Sequence, residues 1–242
     1  MIVQYILQLK RADRGMIPSS WGYRLYAWLL EQIPHEDAQH FHEQDKKTIS
    51  QYVEQGKWYM SLMDQETIDC FSPLLENTKE IDLHGDRIFA EVISCSKPMD
   101  CMYFLQKGRE QREKWVSLQI CSPASFKQAG RYTIFPTEEL LIQSLVRKWN
   151  SLFPQYLLED PDLLKLLKEN VHIVDYKLRS GRYHLKDASI PGFYGVIYLQ
   201  ARLPVVVQEL WNSLLALAPY CGIGIKTTLG MGGVQRTEKN IH

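Results

Sequence analysis

The sequence lacks an excess of either charge: 28 lysines and arginines stand against 28 aspartates and glutamates in 242 residues. That excludes a uniformly basic surface, so any site for a polyanion has to be a local patch. It also lacks paired cysteines. Cys70, Cys95, Cys101, Cys121 and Cys221 are odd in number and show neither a CxxC nor a Cys/His zinc spacing. Buried, reduced thiols of a cytosolic protein fit that usage, and a cytoplasmic location is expected. There is no HExxH helix and no carboxylate cluster, so neither a metal nor a cofactor is expected. The N-terminal MIVQYILQLKRADRG is apolar over too short a run, and its charges follow rather than precede it. It is expected to be neither a signal peptide nor a membrane span.

What is present is enough apolar material for a core, 45% of residues, in a length that suits one large domain or two small ones. Val3, Tyr5, Leu7 and Leu9 alternate as in a strand. Ser19 and Ser20 offer an N-cap to a helix carrying Trp21, Leu25, Trp28 and Leu29. A short helical stretch covers residues 36–42. WYMSLM (58–63) and RIFAEVIS (87–94) read as strands, with TIDCFSPLLEN between them as helix or loop, and the charged run KGREQREK (107–114) reads as a boundary or surface turn.

The second half is plainer. KWVSLQICS (114–122) is a strand, and Leu141, Leu145 and Trp149 mark an amphipathic helix. VHIVDYKL (171–178) and FYGVIYLQA (193–201) form a strand pair. Pro204 opens a helix with Val207, Leu210, Trp211, Leu214, Leu215 and Ala218 on one stripe. A last strand follows a glycine-rich segment. The order is βαββαβ, the ferredoxin-like motif, and the first half reads the same way. The expected fold is therefore α+β, two tandem ferredoxin-like (RRM-like) units with a cleft between them. The expected division is residues 1–112 and 113–242.

The glycine-rich segment PYCGIGIKTTLGMGGVQ (219–235) holds Gly222, Gly224, Gly230, Gly232 and Gly233. A Walker loop needs GxxxxGK[ST] between a strand and a helix, but here Ile225 separates Gly224 from Lys226 and the segment follows a helix. The dinucleotide fingerprint fails as well, since no helix follows. A nucleotide-dependent enzyme is thus disfavoured. What remains is either a turn closing a sheet or a ledge that phosphates approach.

The spacing GxGxKTxxGMGG resembles the C-terminal signature of the RAMP (repeat-associated mysterious protein) superfamily. Within it, the similarity is to the CRISPR-associated endoribonucleases that process precursor CRISPR RNA, the Cas-six family. Residues 121–150, CSPASFKQAGRYTIFPTEELLIQSLVRKWN, resemble that family's central segment, with Cys121 and Ala124 departing from the more usual residues. GFYGVIYL (192–199) resembles its glycine-containing strand and AQHFHEQDKKTIS (38–50) its histidine-bearing N-terminal segment.

The resemblance implies RNA cleavage without a metal, by attack of the 2′-hydroxyl on the adjacent phosphate. Such chemistry needs a base, an acid and a cation for the phosphorane. The matching residues are His42, with Lys47 five residues on and Tyr26 upstream; Tyr23 is the alternate tyrosine and His40 the alternate histidine. If 38–42 is helical, positions 40 and 42 lie about 200° apart and only one faces the cleft. If it is extended, both share a side. Gly222, Gly224, Gly230 and Gly232 would admit RNA phosphates to main-chain N–H groups, beside Lys226 and Thr227. Lys127, Arg131, Arg179 and Arg182 form local basic patches, interleaved with Tyr132, Tyr183, Phe193 and Tyr194, which suit stacking on unpaired bases. The partners implied are CRISPR repeat RNA, precursor and processed, with other CRISPR effector subunits and a homodimer as further options and no membrane. A non-catalytic RNA-binding RAMP subunit is the alternative function.

Overall fold

Alternation in the first nine-residue strand places it at the centre of a sheet. In β1 (Val3–Arg11), Val3, Tyr5, Leu7 and Leu9 are buried. This strand pairs antiparallel with β3 (Lys57–Leu62) on one side and β5 (Asp86–Cys95) on the other. β2 (Ile49–Glu54) and β4 (Glu80–Leu83) complete the edges, in the order β2-β3-β1-β5-β4. α1 (Trp21–Glu31) and α3 (Gln65–Asn77) contribute Leu25, Leu29, Phe71 and Leu75 to the same core as Leu7, Trp58 and Met60. Each such side chain contributes about 1.5–3 kcal/mol by leaving water. Asp64 starts α3 with a reciprocal capping box to Thr67.

The structure is a computed structural model. It describes residues 1–43, 47–111, 113–186 and 188–237, and for residues 42 and 43 the backbone alone. Between α1 and β2 lies α2 (His35–Glu43).

The second sheet is built from β6 (Trp115–Ala124), β9 (Val171–His184), β10 (Ser189–Ala201) and β11 (Val234–Thr237), ordered β11-β6-β10-β9. Its helices are α5 (Glu138–Leu152) and α7 (Val205–Cys221). First and last strands are neighbours, and the hairpin β9–β10 joins the other side of the first strand, as the ferredoxin-like motif requires. Leu141, Leu145 and Trp149 of α5 meet Trp211, Leu214, Leu215 and Ala218 of α7 in one core, so both apolar stripes point inward as their spacing predicts. The first sheet follows the same plan with β4 added as a hairpin partner of β5. The fold is thus α+β and double ferredoxin-like.

Three elements depart from the sequence pattern. Residues 107–110, expected in a surface turn, are the last turn of α4 (Cys101–Glu110). Asp100 caps that helix, and Cys101, Phe104 and Gly108 recur at helical spacing on its buried side. A Cβ at Gly108 would collide with the Glu209 carbonyl and Ser213 of α7, so the contact demands glycine. α6 (Pro161–Asn170) is inserted after α5, and a small hairpin, β7 (Phe126–Gln128) with β8 (Arg131–Thr133), follows β6. Among the described residues no helix is long and apolar enough to cross a membrane.

Candidate nucleic-acid interface

The glycine-rich segment begins where α7 ends. Gly222, Gly224, Gly230 and Gly232 have positive φ, and so does Lys226 at +56°. The N–H groups of the five glycines are all engaged inside the protein. Gly222 donates to Ala218 O (2.8 Å), Gly224 to Ser144 Oγ (2.8 Å), Gly230 to Thr227 O (3.4 Å), Gly232 to Pro123 O (3.0 Å) and Gly233 to Ser122 Oγ (2.8 Å). The glycines therefore shape the loop instead of presenting open donors, which corrects the expectation of a ledge of free glycine amides. What the loop does present is a 3-10 turn, Thr227–Leu229, opened by Lys226 in the left-handed region.

That turn ties both sheets together. Gln51 of β2 donates its Nε2 to Gly22 O (2.9 Å) and Thr228 O (3.0 Å), and its Oε1 accepts from Trp58 Nε1 (3.0 Å). Thr228 Oγ1 donates to Ile49 O at 2.8 Å, and Tyr183 Oη to Leu229 O at 2.7 Å. The loop is thereby pinned from β2, α1 and β9 at once.

One wall of a cavity of about 820 Å³ is formed by residues 224–229 of this loop. The cavity runs between α1 and α2 on one side and α5 and the β7–β8 hairpin on the other. Tyr26, Phe41 and Lys47 line it from the first half; Lys127, Arg147, Lys148 and Lys226 line it from the second. Its described lining thus holds five cations, Lys47, Lys127, Arg147, Lys148 and Lys226, and no carboxylate. In a chain with equal numbers of acidic and basic residues this is a local separation of charge, and it favours a polyanion.

Several residues expected from the sequence meet here. Tyr26 and Lys47 face the same cavity as Lys127, Gly224, Lys226 and Thr227. The alternate Tyr23 lines a separate cavity of about 540 Å³ with Trp28 and His184. His42 is the eighth residue of α2, but its side chain lies outside the described residues. Because α2 is helical, the helical alternative for residues 38–42 is the one realised. His40 Nε2 lies 3.0 Å from Glu66 Oε1, is about half exposed, and does not line the cavity. Arg131, Arg179 and Arg182 sit on strands at the exposed surface, away from the cavity lining; Arg182 also clasps Ser189 across the β9–β10 pair. Gly222, Gly230 and Gly232 lie behind the loop surface.

Of the four aromatics expected to stack on bases, Tyr132 and Tyr194 are exposed, but Tyr183 and Phe193 are buried. Tyr183 packs with Ile190 and Met231 and holds the loop, while Phe193 stacks on Phe126 in the core, so neither can meet a base.

Sequence reasoning missed the polar face of α5. Ser144, Arg147, Lys148 and Ser151 recur every three or four residues and all line the cavity. Ser144 accepts the Gly224 amide, and Lys148 Nζ donates to Cys221 O (2.8 Å) and Thr227 Oγ1 (3.1 Å). The spacing was visible, but the apolar stripe of the same helix had accounted for the segment. Burial shifts Tyr26, Lys148 and Cys221 in this cleft, raising the Cys221 thiol to about 11. It pushes the Tyr26 hydroxyl up to about 12, so Tyr26 stays protonated at neutral pH. It pushes the Lys148 ammonium down from its ordinary value.

Comparison with known proteins adds an independent line. The family model of the CRISPR-associated endoribonuclease Cas6 matches residues 118–234. The chain is 25% identical to the CRISPR-associated endoribonuclease Cas6 of Streptococcus thermophilus, over 97% of this chain and 98% of the relative. It is 24% identical to the one of Mycobacterium tuberculosis (strain CDC 1551 / Oshkosh), over 88% and 71% respectively. Among solved structures, Thermus thermophilus Cas6 (TTHB231) has the same fold, with a TM-score of 0.78, 21% identity and 98% of each chain covered. A second structure of that protein, described as a product complex, superposes with a TM-score of 0.77 at 20% identity over 98% of this chain and 100% of its own. The second half of the chain thus matches the Cas6 family model, curated Cas6 endoribonucleases are similar to it along most of its length, and solved Cas6 structures share its fold.

Proposed function

We propose that this protein is a metal-independent endoribonuclease that cuts precursor CRISPR RNA within its repeats. The observation that carries the reading is the cleft in which five cations, without a described carboxylate, surround Tyr26 and the end of the glycine loop. A 2′-hydroxyl loses its proton to a base, and its oxygen attacks the adjacent phosphorus. The P–O5′ bond breaks, and the leaving 5′-oxygen takes a proton from an acid. The products are a 2′,3′-cyclic phosphate and a 5′-hydroxyl, and no oxidant or reductant is consumed. His42 is assigned the proton transfer because a histidine titrates near neutrality. Lys47 offsets the charge of the phosphorane, and the protonated Tyr26 donates a hydrogen bond to the reacting phosphate. Lys127, Arg131, Arg179, Arg182, Lys226 and Thr227 hold the RNA backbone, while Gly222, Gly224, Gly230 and Gly232 set the path of the loop. Repeat RNA, before and after cleavage, is the proposed partner; other effector subunits and a second copy of the chain are the proteins expected to meet the bound product.

The deciding experiment uses repeat RNA in excess EDTA, with and without a 2′-deoxy substitution at the scissile nucleotide. Cleavage of the ribose substrate and survival of the deoxy one are expected. Cleavage of both would falsify the mechanism. Tight binding with no product from either would assign the chain instead to the non-catalytic RNA-binding RAMP subunits.

Lys226 allows stability and binding to be separated. Its φ of +56° is a conformation that glycine adopts freely and that strains other residues by roughly 1 kcal/mol. Lys226→Gly is therefore expected to hold or raise the melting temperature while weakening RNA binding about fivefold at ~100 mM salt, through loss of one phosphate contact. Equal affinity for both proteins would leave Lys226 outside the interface.

A further inference from the structure

We propose that Lys148 is itself a phosphate-binding residue, directing one N–H of its ammonium at a phosphodiester oxygen of the RNA while the others pin the glycine loop. The proposal rests on the ribonuclease reading above and adds to it a residue that resemblance did not supply. An ammonium has three donors. Two of those on Lys148 go to Cys221 O and Thr227 Oγ1, and both acceptors are neutral. No carboxylate pairs with Lys148 among the described residues, and none is found in the described lining of the cleft it faces.

A sequestered cation without a counter-ion is unfavourable, and burial does push this ammonium towards its neutral form. Capping of α7 accounts for only part of the arrangement. Cys221 is the last residue of that helix, and a cation there complements the negative end of the helix dipole. Neutral acceptors such as the carbonyl and the threonine hydroxyl do not themselves require a charged donor. The charge itself is explained by an anion that arrives from outside. The surroundings point to the same ligand: Arg147 precedes Lys148 on the exposed side of α5, Lys226 lies across the pinned Thr227, and Lys47 faces them from the other wall. A phosphate lying between these groups would make contacts from both halves of the protein.

The test measures fluorescence anisotropy of the full-length protein with labelled repeat RNA made uncleavable by 2′-deoxy substitution, over about 50–400 mM salt. Each phosphate contact to single-stranded RNA contributes about 0.7 to the slope of log affinity against log salt. Lys148→Gln should flatten the slope by about 0.7 and weaken binding about fivefold at ~100 mM salt. Lys148→Arg, which keeps the charge, should restore the slope. A Lys148→Gln protein that melts earlier but keeps the wild-type slope overturns the proposal and leaves Lys148 a loop clamp. Failure of the wild-type protein to bind RNA at all overturns the ribonuclease reading first, and this proposal with it. If Lys148→Gln does not fold, the crystal structure of the wild-type protein with the same RNA decides. A phosphate oxygen within ~3.2 Å of Lys148 Nζ supports the assignment, and its absence overturns it.

Discussion

On the proposed assignment, His42→Ala is expected to slow single-turnover cleavage of repeat RNA by about 10²- to 10⁴-fold, the range set by loss of a general acid–base group, and to leave the dissociation constant within about threefold of wild type. His40→Ala changes the rate far less. The contrast rests on the resemblance for His42 and on the placement of His40. Residues 35–43 form α2, and positions two apart on a helix lie about 200° from one another. His40 spends its position on Glu66 of α3 and on an edge contact with Phe41, at half exposure and off the cleft. Phe41, between the two histidines, lines the cleft. Separating rate from affinity matters here, because a basic cleft would bind RNA whether or not a proton-transfer group is present. If His42→Ala cleaves at the wild-type rate and His40→Ala does not, the assignment of the two histidines is reversed. If neither slows the reaction, the chemistry lies outside α2.

The second βαββαβ unit was legible because its two long helices carry uninterrupted apolar stripes, Leu141–Leu145–Trp149 and Trp211–Leu214–Leu215–Ala218, whose burial against one sheet is nearly forced. α4 was not legible, because seven of the eight residues in KGREQREK are polar or charged, and they hid the spacing of its Gly108 with Cys101 and Phe104 just upstream. The site divides in the same way. Tyr26 and Lys47 were reachable by resemblance, Lys127 and Lys226 as local basic patches, and the cleft brings them together. Tyr26 turns out to serve packing and site at once, since it is buried and still forms part of the wall. Arg147 and Lys148 carried no mark in the sequence that separates a cleft cation from a solvated one. Tyr183 was misjudged for a further reason. Its burial depends on Gly22, Gln51 and Gly230, which lie far from it in the chain, and no local pattern announces a contact of that kind.

Gly230→Ala is expected to destabilise the protein by about 3 kcal/mol or more. Two independent effects combine. Gly230 has φ +98°, ψ 5°, where any side chain is strained by roughly 1 kcal/mol or more. A Cβ there would also collide with Tyr183 Oη, and it would meet Gly22 Cα at 3.1 Å and Gln51 Nε2 at 3.3 Å. Tyr183 cannot swing aside, because it is fully buried and its hydroxyl donates to Leu229 O at 2.7 Å. Tyr183→Phe alone should lose about 1 kcal/mol, the net value of that hydrogen bond. The double variant then separates the collision from the backbone strain. With the hydroxyl gone, the worst contact disappears, so Gly230→Ala/Tyr183→Phe should be about 1 kcal/mol or more stabler than the sum of the single changes predicts. The strain at φ +98° and the contact with Gly22 remain, so the double variant should still melt below Tyr183→Phe. Chemical denaturation of the four proteins measures all of this. Strict additivity would mean that the loop moves away from Tyr183 to admit the methyl group, and the pin between the glycine loop, α1 and β9 would then be looser than its hydrogen bonds imply.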